Sequence, residues 1–301
     1  MSDLSASGLL GPAQIRRLAA ELEVRPTKKL GQNFVHDSGT VRKIAGLAGL
    51  EAGDGVIEVG PGLGSLTLAL LEAGARVTAV EIDPRLAARL PRTVREFSQE
   101  WAERLSVVNQ DAMKLGPDTA RDPQALVANL PYNVSVPVLL HVLATFPTIE
   151  RIVVMVQKEV AERLSAAPGS RVYGAPSVKL AWYGDSKLAG VVGRKVFWPE
   201  PNVDSALVAV DVLSPTRGRE ELRDATFALV DAAFGQRRKM LRSSLKTTIG
   251  DEARVRLVLE SAGVDPTCRP EDLGIDEFVA LGRAMLSLSD VELTGEGTNE
   301  P

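Results

Sequence analysis

The chain is poor in the residues that build metal centres and disulfides. Its 301 residues include one cysteine, Cys268, and two histidines, His36 and His141. A single cysteine excludes an internal disulfide and a cysteine-based zinc site, and two histidines argue against a histidine-ligated metal cluster. We therefore expect a protein of a reducing, cytoplasmic compartment whose chemistry uses no metal.

Long apolar runs and an excess of positive charge are missing as well. No window approaches the roughly 18 consecutive apolar residues of a membrane span, and the first residues do not have the order of a secretory signal. The net charge is −4, so a uniformly basic nucleic-acid-binding surface is excluded. We expect no membrane partner.

One stretch departs from this charge balance. Residues 234–246, here called the basic segment, contain five cations and no acid: Arg237, Arg238, Lys239, Arg242 and Lys246. A solvated helix face is the usual fate of such a run. Its four apolar residues, however, provide a side for docking, so outward cations that bind phosphate groups are the other interpretation.

Short apolar strands alternate with helical patterns in the first part of the chain. The predicted strands are residues 55–60, 76–81, 106–111, 125–129 and 151–157. Because helical patterns follow them, the alternation predicts an α/β fold with a parallel sheet and helices on both faces. Two later segments, 178–184 and 205–213, are predicted as antiparallel strands.

The composition changes at residues 213–220, where turn formers dominate. Beyond them only helical periodicity is found, in residues 221–234, 237–248, 252–261 and 276–287. We therefore expect four regions: a flexible N-terminal extension (1–20), a large α/β domain (21–213), a small helical domain (214–288) and a disordered acidic tail (289–301).

A glycine-rich turn, Gly60-Pro61-Gly62-Leu63-Gly64, closes the first predicted strand. Glycines let a backbone adopt positive φ and approach a ligand closely. The dinucleotide-binding fingerprint requires its third glycine one position later, where Ser65 stands. The turn therefore favours an adenosine ligand without pyrophosphate, although a plain tight turn before a helix is the alternative.

Acidic residues end the next two strands. Glu81 lies at the end of residues 76–81 and is placed to accept hydrogen bonds from ribose hydroxyls, and Asp111 is placed to meet an adenine amine. A helix N-cap or a solvated loop charge is the alternative for each acid, and the cap suits Asp83 better than Glu81 because Pro84 follows. Since parallel strands present their carboxyl ends at one edge, these groups predict one ligand site.

The fourth strand ends in Asn129-Leu130-Pro131-Tyr132. The Asn129 side chain and a backbone carbonyl near Leu130 or Pro131 are acceptors for the two N–H bonds of an adenine amine, and Tyr132 offers a stacking face. Together with the glycine turn, this corner suggests a methyl donor on one side and an adenine on the other. Alignment of the adenine amine with the methyl group would provide most of the catalysis, so no strong base is needed. The alternative is a β-turn with Tyr132 in the core.

Four motifs in combination identify a family resemblance: Gln32-Asn33-Phe34, Glu58-Val59-Gly60-Pro61-Gly62, Asn129-Leu130-Pro131-Tyr132 and Gln236-Arg237-Arg238-Lys239. The chain closely resembles the small-subunit ribosomal RNA adenine dimethyltransferases, the KsgA/RsmA family, from about Lys28 to about Leu286. The resemblance implies a class I methyltransferase, Rossmann-like fold with a mainly parallel seven-stranded sheet and an all-α C-terminal domain.

The resemblance also implies an activity. S-adenosylmethionine would be the donor, and the reaction would be N6,N6-dimethylation of two adjacent adenosines in a hairpin loop near the 3′ end of 16S ribosomal RNA. The implied donor-binding residues are Asn33, Val35, Gly60, Glu81, Asp111 and Asn129. Residues 129–132 would grip the target base, and the cations Arg237, Arg238, Lys239 and Arg242 would bind RNA.

Residues 197–205 match the family pattern F-x-P-x-P-x-V-x-S. Phe197 would then stack on the target base opposite Tyr132; the alternative is a core phenylalanine between strands. Two departures are small: Val35 is commonly leucine, and Glu200 is more acidic than usual.

Other functions remain open at this point. A large-subunit (23S) RNA adenine methyltransferase shares the fold and similar motifs, and a non-catalytic ribosome assembly factor would share the RNA-binding surface. A DNA adenine methyltransferase would need a target-recognition insertion, which the sequence does not show. An NAD-dependent oxidoreductase would need the third glycine of the dinucleotide-binding fingerprint, where Ser65 stands. Loop adenines can be unstacked for methylation. Because the chain offers few base-reading groups, we expect specificity to come from the shape of assembled RNA and the substrate to be 16S RNA within an immature small subunit. We also expect a monomer.

Overall fold

The computed structural model describes residues 9–24, 33–131, 134–214 and 216–295, with side chains up to residue 288. Internal contacts divide the chain into two compact units. The first comprises residues 1–161 and 186–212, and the second comprises residues 162–185 and 213–301. Residues 162–185 thus group with the C-terminal unit, whereas the sequence assigned them to the α/β domain.

Nine strands are found among the described residues: β1 (Phe34–Val35), β2 (Gly55–Val59), β3 (Arg76–Glu81), β4 (Leu105–Asn109), β5 (Ala125–Asn129), β6 (Arg151–Gln157), β7 (Gly184–Val192), β8 (Phe197–Trp198) and β9 (Ser205–Val212). Seven of them form one sheet in the order β4-β3-β2-β5-β6-β9-β7. The pairs β2–β3, β3–β4, β2–β5 and β5–β6 are parallel, and β6–β9 is antiparallel. The expected mainly parallel, seven-stranded sheet is confirmed.

The central strands are buried because their residues are small or branched apolar ones. Residues 125–128 of β5 have no exposed surface, and residues 152–156 of β6 are at most 1% exposed. Such continuous apolar runs are typical of parallel strands covered on both faces. The chain leaves β2 for β3 on one side, while β5 lies on the other side of β2. A crevice forms at such a switch point, outside the carboxyl ends of the strands.

Thirteen α-helices complete the described chain: α1 (Pro12–Glu21), α2 (Ser38–Leu47), α3 (Ser65–Glu72), α4 (Pro84–Phe97), α5 (Gln99–Glu103), α6 (Ser135–Thr145), α7 (Lys158–Leu164), α8 (Ala175–Ala181), α9 (Glu220–Gly235), α10 (Leu241–Ser244), α11 (Lys246–Ile249), α12 (Glu252–Ser261) and α13 (Ile275–Gly295). Side-chain caps begin several of them, for example Asp37 at α2 and Asp251 at α12. None of the helices in the described ranges is long and apolar enough to cross a membrane.

The N-terminal segment differs from the expected flexible extension. Residues 12–21 form α1, and Ile15 and Leu18 are at most 1% exposed within the core of the first unit. Arg89 on α4 donates to Glu21 at 3.3 Å. Burial of an amphipathic face stabilises this helix, a feature that its polar residues concealed in the sequence.

A two-stranded antiparallel sheet in the first unit was not predicted. Strand β1 pairs with β8, so that Phe34 lies opposite Trp198 and Val35 lies opposite Phe197. Each strand has two residues, too few to show a periodic pattern in the sequence.

Two secondary-structure predictions in the second unit were wrong. Residues 178–181 of the predicted strand 178–184 belong to helix α8, because Pro176 is pre-organised for a first helical turn and Ser177 accepts from Gly174 N at 3.1 Å. The predicted helix 237–248 is instead a turn through residues 236–240 followed by α10 and α11.

The second unit has its own apolar core, built around Phe278 on α13 and Leu229 on α9. Helix α13 ends at Gly295. The helical periodicity of the sequence predicted an end at residue 287, so the helix extends into the segment that was predicted to be a disordered tail. Residues 296–301 lie outside the described residues. The assignment of one domain to catalysis and the other to RNA binding stays a prediction.

Candidate active site

A cavity opens in the first unit at the carboxyl ends of β2, β3, β4 and β5, the place expected for a switch-point site. It is lined by seven of the residues that the sequence predicted: Asn33, Val35, Gly60, Glu81, Asp111, Asn129 and Pro131. All six predicted donor-binding residues therefore lie around one cavity, although their roles remain to be tested.

The glycine turn needs its glycines for two different reasons. Gly60 and Gly62 both have positive φ, +71° and +57°. At Gly62 a Cβ atom would lie 2.9 Å from the ring of Phe34, whereas at Gly60 the nearest atom would be 3.8 Å away. Gly62 thus makes room for an aromatic ring, and Gly60 supplies backbone conformation beside the cavity. Both the ligand-binding turn and the plain tight turn are compatible with this packing, so ligand binding by the turn stays a prediction.

The carboxylate of Glu81 is 5% exposed and is held by two backbone groups. Gly62 N donates to its Oε2 at 3.0 Å, and Asp83 N donates to its Oε1 at 2.9 Å. Burial raises the pKa of Glu81, and the two backbone hydrogen bonds oppose that shift. The side chain is fixed before any ligand binds, with acceptor capacity left on both oxygens.

Glu58 on β2 is a further buried acid of the cavity, for which the sequence motif predicted no role. It is 1% exposed and accepts from Thr67 Oγ1 at 2.6 Å. Burial raises the pKa of Glu58 to about 8, with the nearby charge of Glu81 acting in the same direction. The signal in the sequence was a carboxylate inside an otherwise apolar strand.

Asp111 and Asp83 play different parts. Asp111 lines the cavity and also caps the short 3₁₀ turn 112–114 by accepting from Met113 N at 3.0 Å. Asp83 caps α4 by accepting from Arg85 N at 2.9 Å and is absent from the cavity wall. The prediction that Asp83 is a helix cap is confirmed, and the cap alternative for Asp111 also holds without removing it from the cavity.

Residues 33–35, which include strand β1, form one wall of the cavity. Asn129 Nδ2 donates to Asn33 O at 3.2 Å, and Ser65 Oγ donates to Val35 O at 2.6 Å. Ser65 stands where the dinucleotide-binding fingerprint has a glycine, and its hydroxyl holds β1 in place. Because Nδ2 of Asn129 is engaged by Asn33, Oδ1 is the atom left to accept from a substrate amine.

The backbone after β5 is tied to its neighbours. Leu130 N donates to Met155 O at 3.0 Å, and Val134 N donates to Pro131 O at 3.2 Å. Because Pro131 O already accepts from Val134 N, Leu130 O is the favoured one of the two carbonyls that were predicted as acceptors for the adenine amine. The Leu130 side chain is 1% exposed and belongs to the core rather than to the cavity wall. Tyr132 lies outside the described residues, so both its stacking role and its core alternative stay predictions.

Phe197 is not brought to the cavity. It is 3% exposed and packs in the core of the first unit. This placement corresponds to the alternative of a core phenylalanine between strands, and stacking on a base would require Phe197 to move.

The basic segment contains two kinds of cation. Arg237 Nε donates to Glu271 at 2.6 Å, and its Nη2 donates to Arg171 O at 3.0 Å. Arg238, Lys239 and Arg242 are exposed. Arg237 is therefore used inside the second unit, and three of the four predicted RNA-binding residues present their charge to solvent.

Comparison with known proteins gives a consistent result. A sequence model of the ribosomal RNA adenine dimethylase family matches residues 24–282. The protein named ribosomal RNA small subunit methyltransferase A of Leifsonia xyli is 60% identical, covering 91% of this chain and 97% of that protein. Its namesake in Corynebacterium diphtheriae is 55% identical, covering 94% and 97%.

Solved structures show the same fold. A dimethyladenosine transferase from Plasmodium falciparum superimposes with a TM-score of 0.71 at 24% identity, covering 87% of this chain and 98% of that one. The 23S rRNA methyltransferase ErmE superimposes with a TM-score of 0.62 at 26% identity, covering 84% and 99%.

Proposed function

This chain belongs to the ribosomal RNA adenine dimethylase family, and from that premise we propose how its cavity works. The chain is an rRNA adenine N6,N6-dimethyltransferase that acts on two adjacent adenosines in a hairpin loop near the 3′ end of 16S ribosomal RNA. The observation that carries the proposal is the meeting of Asn129, Glu81 and the glycine turn around one cavity.

S-adenosylmethionine fits the groups that line this cavity. The buried carboxylate of Glu81 has acceptor capacity for ribose hydroxyls. Glu58 contributes no negative charge near neutral pH, because its pKa of about 8 keeps it protonated. Ile82 lines the cavity although it is 54% exposed, which suits the flat face of an adenine. When bound, the donor supplies a methyl group on an electrophilic sulfonium.

The residues of the chain orient the nucleophile. The lone pair of an adenine amine is delocalised into the ring, so the amine is a weak nucleophile. Asn129 Oδ1 and Leu130 O would accept its two N–H bonds, favouring a geometry in which the nitrogen lone pair can attack. Such alignment supplies most of the catalysis, and the methylated ammonium then loses its proton to water.

The remaining assignments belong to the same proposal. Tyr132 would stack on the base, whereas Phe197 would reach it only by moving out of the core. Arg238, Lys239 and Arg242 would contact the RNA backbone. The substrate would be 16S RNA in an immature small subunit, and the enzyme would act as a cytoplasmic monomer. The large-subunit alternative is not favoured, because identity is 55–60% to the small-subunit relatives and 26% to ErmE. A non-catalytic assembly factor would not need Asn129 positioned at the cavity.

The test is mass spectrometry of ribosomal RNA from a strain that lacks the gene. Paired dimethyladenosines should disappear from 16S RNA and return with the wild-type gene, but not with an Asn129→Ala copy. Loss of a methylated adenine from 23S RNA instead, with intact 16S modification, would contradict the proposal. Purified protein given assembly intermediates or naked RNA would then test which substrate is preferred.

A further inference from the structure

The unpredicted pairing of β1 with β8 places a tryptophan beside the donor cavity. Trp198 stands opposite Phe34 in the register, and their rings stack with centroids 6.4 Å apart and an angle of 20° between the planes. Trp198 occupies an unspecified position of the pattern in residues 197–205, so the motif assigns it no role.

Phe34 connects Trp198 to the cavity. Its ring lines the cavity, is 7% exposed, and lies where a Cβ atom on Gly62 would be 2.9 Å away. On either side of Phe34, the backbone carbonyl of Asn33 accepts a hydrogen bond from Asn129, and that of Val35 accepts one from Ser65. Phe34 is thus the middle one of three consecutive residues of the cavity wall.

Other parts of the first unit also pack around Trp198. It is half-buried against the apolar cluster of the first unit, and helix α1 contacts β8. A stacked pair of rings restricts both side chains because aromatic contacts have preferred geometries. Restricting groups before a ligand arrives lowers the entropic cost of binding.

We propose that Trp198 is a positioning residue for the methyl donor: it holds the Phe34 ring against Gly62 and thereby fixes Asn33 and Val35 at the cavity. The inference rests on the proposed function, since it takes S-adenosylmethionine as the ligand. It adds a residue outside the cavity wall that sets donor affinity. A tryptophan that merely fills the core would affect stability without this specific effect.

The first experiment measures S-adenosylmethionine binding by calorimetry, without RNA, on the full chain. Trp198→Ala should raise the Kd about tenfold, and Trp198→Phe should restore most of the affinity because a stacking ring remains. Trp198→Leu, which keeps apolar volume but has no ring, should fall between them. At saturating donor, kcat should stay near the wild-type value, so the loss appears in the KM for the donor.

Trp101→Ala is the matched control. Trp101 on α5 packs, partly buried, against the same apolar cluster but does not line the cavity. Both alanine variants should unfold at lower temperature, and only Trp198→Ala should bind the donor weakly. Equal donor affinity in the two variants would overturn the inference. If Trp198→Ala does not fold, the comparison of Trp198→Leu with Trp198→Phe decides the same question.

A double-mutant cycle tests the route through Phe34. Gly62→Ala pushes against the Phe34 ring, and Trp198→Ala removes the group that holds this ring in place. The loss of donor affinity in the double variant should therefore be smaller than the product of the two single losses. Independent losses would overturn the proposed route.

Fluorescence supplies a readout separate from affinity. The chain has three tryptophans, and donor binding should change the emission of the wild type but not of Trp198→Phe. A signal that persists unchanged in Trp198→Phe would count against the inference. A wild-type protein that binds no S-adenosylmethionine would overturn the proposed function itself, whereas normal binding by Trp198→Ala overturns the inference alone.

Discussion

The cavity and the basic segment use charged side chains in opposite ways. In the cavity, Glu81 is 5% exposed and two backbone N–H groups hold its oxygens. In the basic segment, Arg238, Lys239 and Arg242 are exposed. A buried, pre-oriented charge contributes a specific contact that cannot be replaced, whereas exposed cations contribute similar, salt-screened increments.

This difference predicts unequal consequences of mutation. Removing one cavity group should abolish or greatly weaken one step of the reaction. Removing one cation should weaken RNA binding modestly and to the same degree for any sequence. We therefore expect the largest effects from substitutions in the cavity and the smallest from substitutions in the basic segment. Similar effects in the two regions would contradict this difference.

The largest effect is expected for Asn129→Ala. In the proposed mechanism this variant lacks the oxygen that would accept from the substrate amine, so methyl transfer should fall by about 10²–10³-fold, the usual cost of removing one positioned polar group. Transfer of labelled methyl groups to small-subunit particles measures this, and circular dichroism verifies the fold. Near-normal turnover would place the amine acceptor elsewhere.

Glu81→Ala should weaken donor binding on the order of a hundredfold, because charge-assisted hydrogen bonds to the ribose are lost. Asp83→Ala is the control: Asp83 caps α4 and does not line the cavity. It should lower stability while leaving donor affinity close to that of the wild type. Equal donor affinities in the two variants, measured by titration, would remove Glu81 from the site.

Gly62→Ala should weaken donor binding more than Gly60→Ala does. Both positions have positive φ, so both substitutions carry backbone strain. Only at Gly62 would the new Cβ atom meet a ring, 2.9 Å away. We expect about a tenfold larger rise in Kd for Gly62→Ala than for Gly60→Ala, about 1.4 kcal/mol. The reverse order would show that the Phe34 contact is unimportant.

The buried acid Glu58 predicts a dependence of stability on pH. Its pKa is about 8 in the folded chain and lies near 4.5 in an unfolded one. Between these values the folded state keeps a proton that the unfolded state has lost, so the free energy of unfolding should fall as pH rises from about 4.5 to about 8. Thermal unfolding across this range measures the decline.

Glu58→Gln is the matched variant for that measurement. It keeps the size of the side chain and cannot ionise, so its stability should decline less over the same range. A parallel decline in both proteins would assign the pH dependence to other groups.

The smallest effects are expected in the basic segment. Arg238→Gln should weaken RNA binding a fewfold and reduce the salt dependence by about one phosphate contact. Arg237→Gln should leave the salt dependence unchanged. It should instead lower the free energy of unfolding by up to about 1 kcal/mol, because the ion pair with Glu271 is lost. Equal salt dependences for the two variants would contradict this division.

Much of the candidate site could be predicted from local patterns. Gly60, Glu81, Asp111 and Asn129 lie at or just beyond the ends of four predicted strands, and parallel strands must present these ends at one edge. The prediction fails where several local readings are possible. Residues 178–184 alternate like a strand, yet Pro176 and Ser177 begin a helix just before them.

The amino-acid sequence alone determined the α/β class, the parallel sheet and the polar groups at its carboxyl edge, because these follow from periodicity, turn chemistry and the order of elements along the chain. Only the tertiary structure decided that Arg237 pairs with Glu271, that Phe197 enters the core, and that Trp198 stacks on Phe34. Such contacts join residues far apart in the chain, and their formation depends on close packing of side chains, which no local pattern encodes.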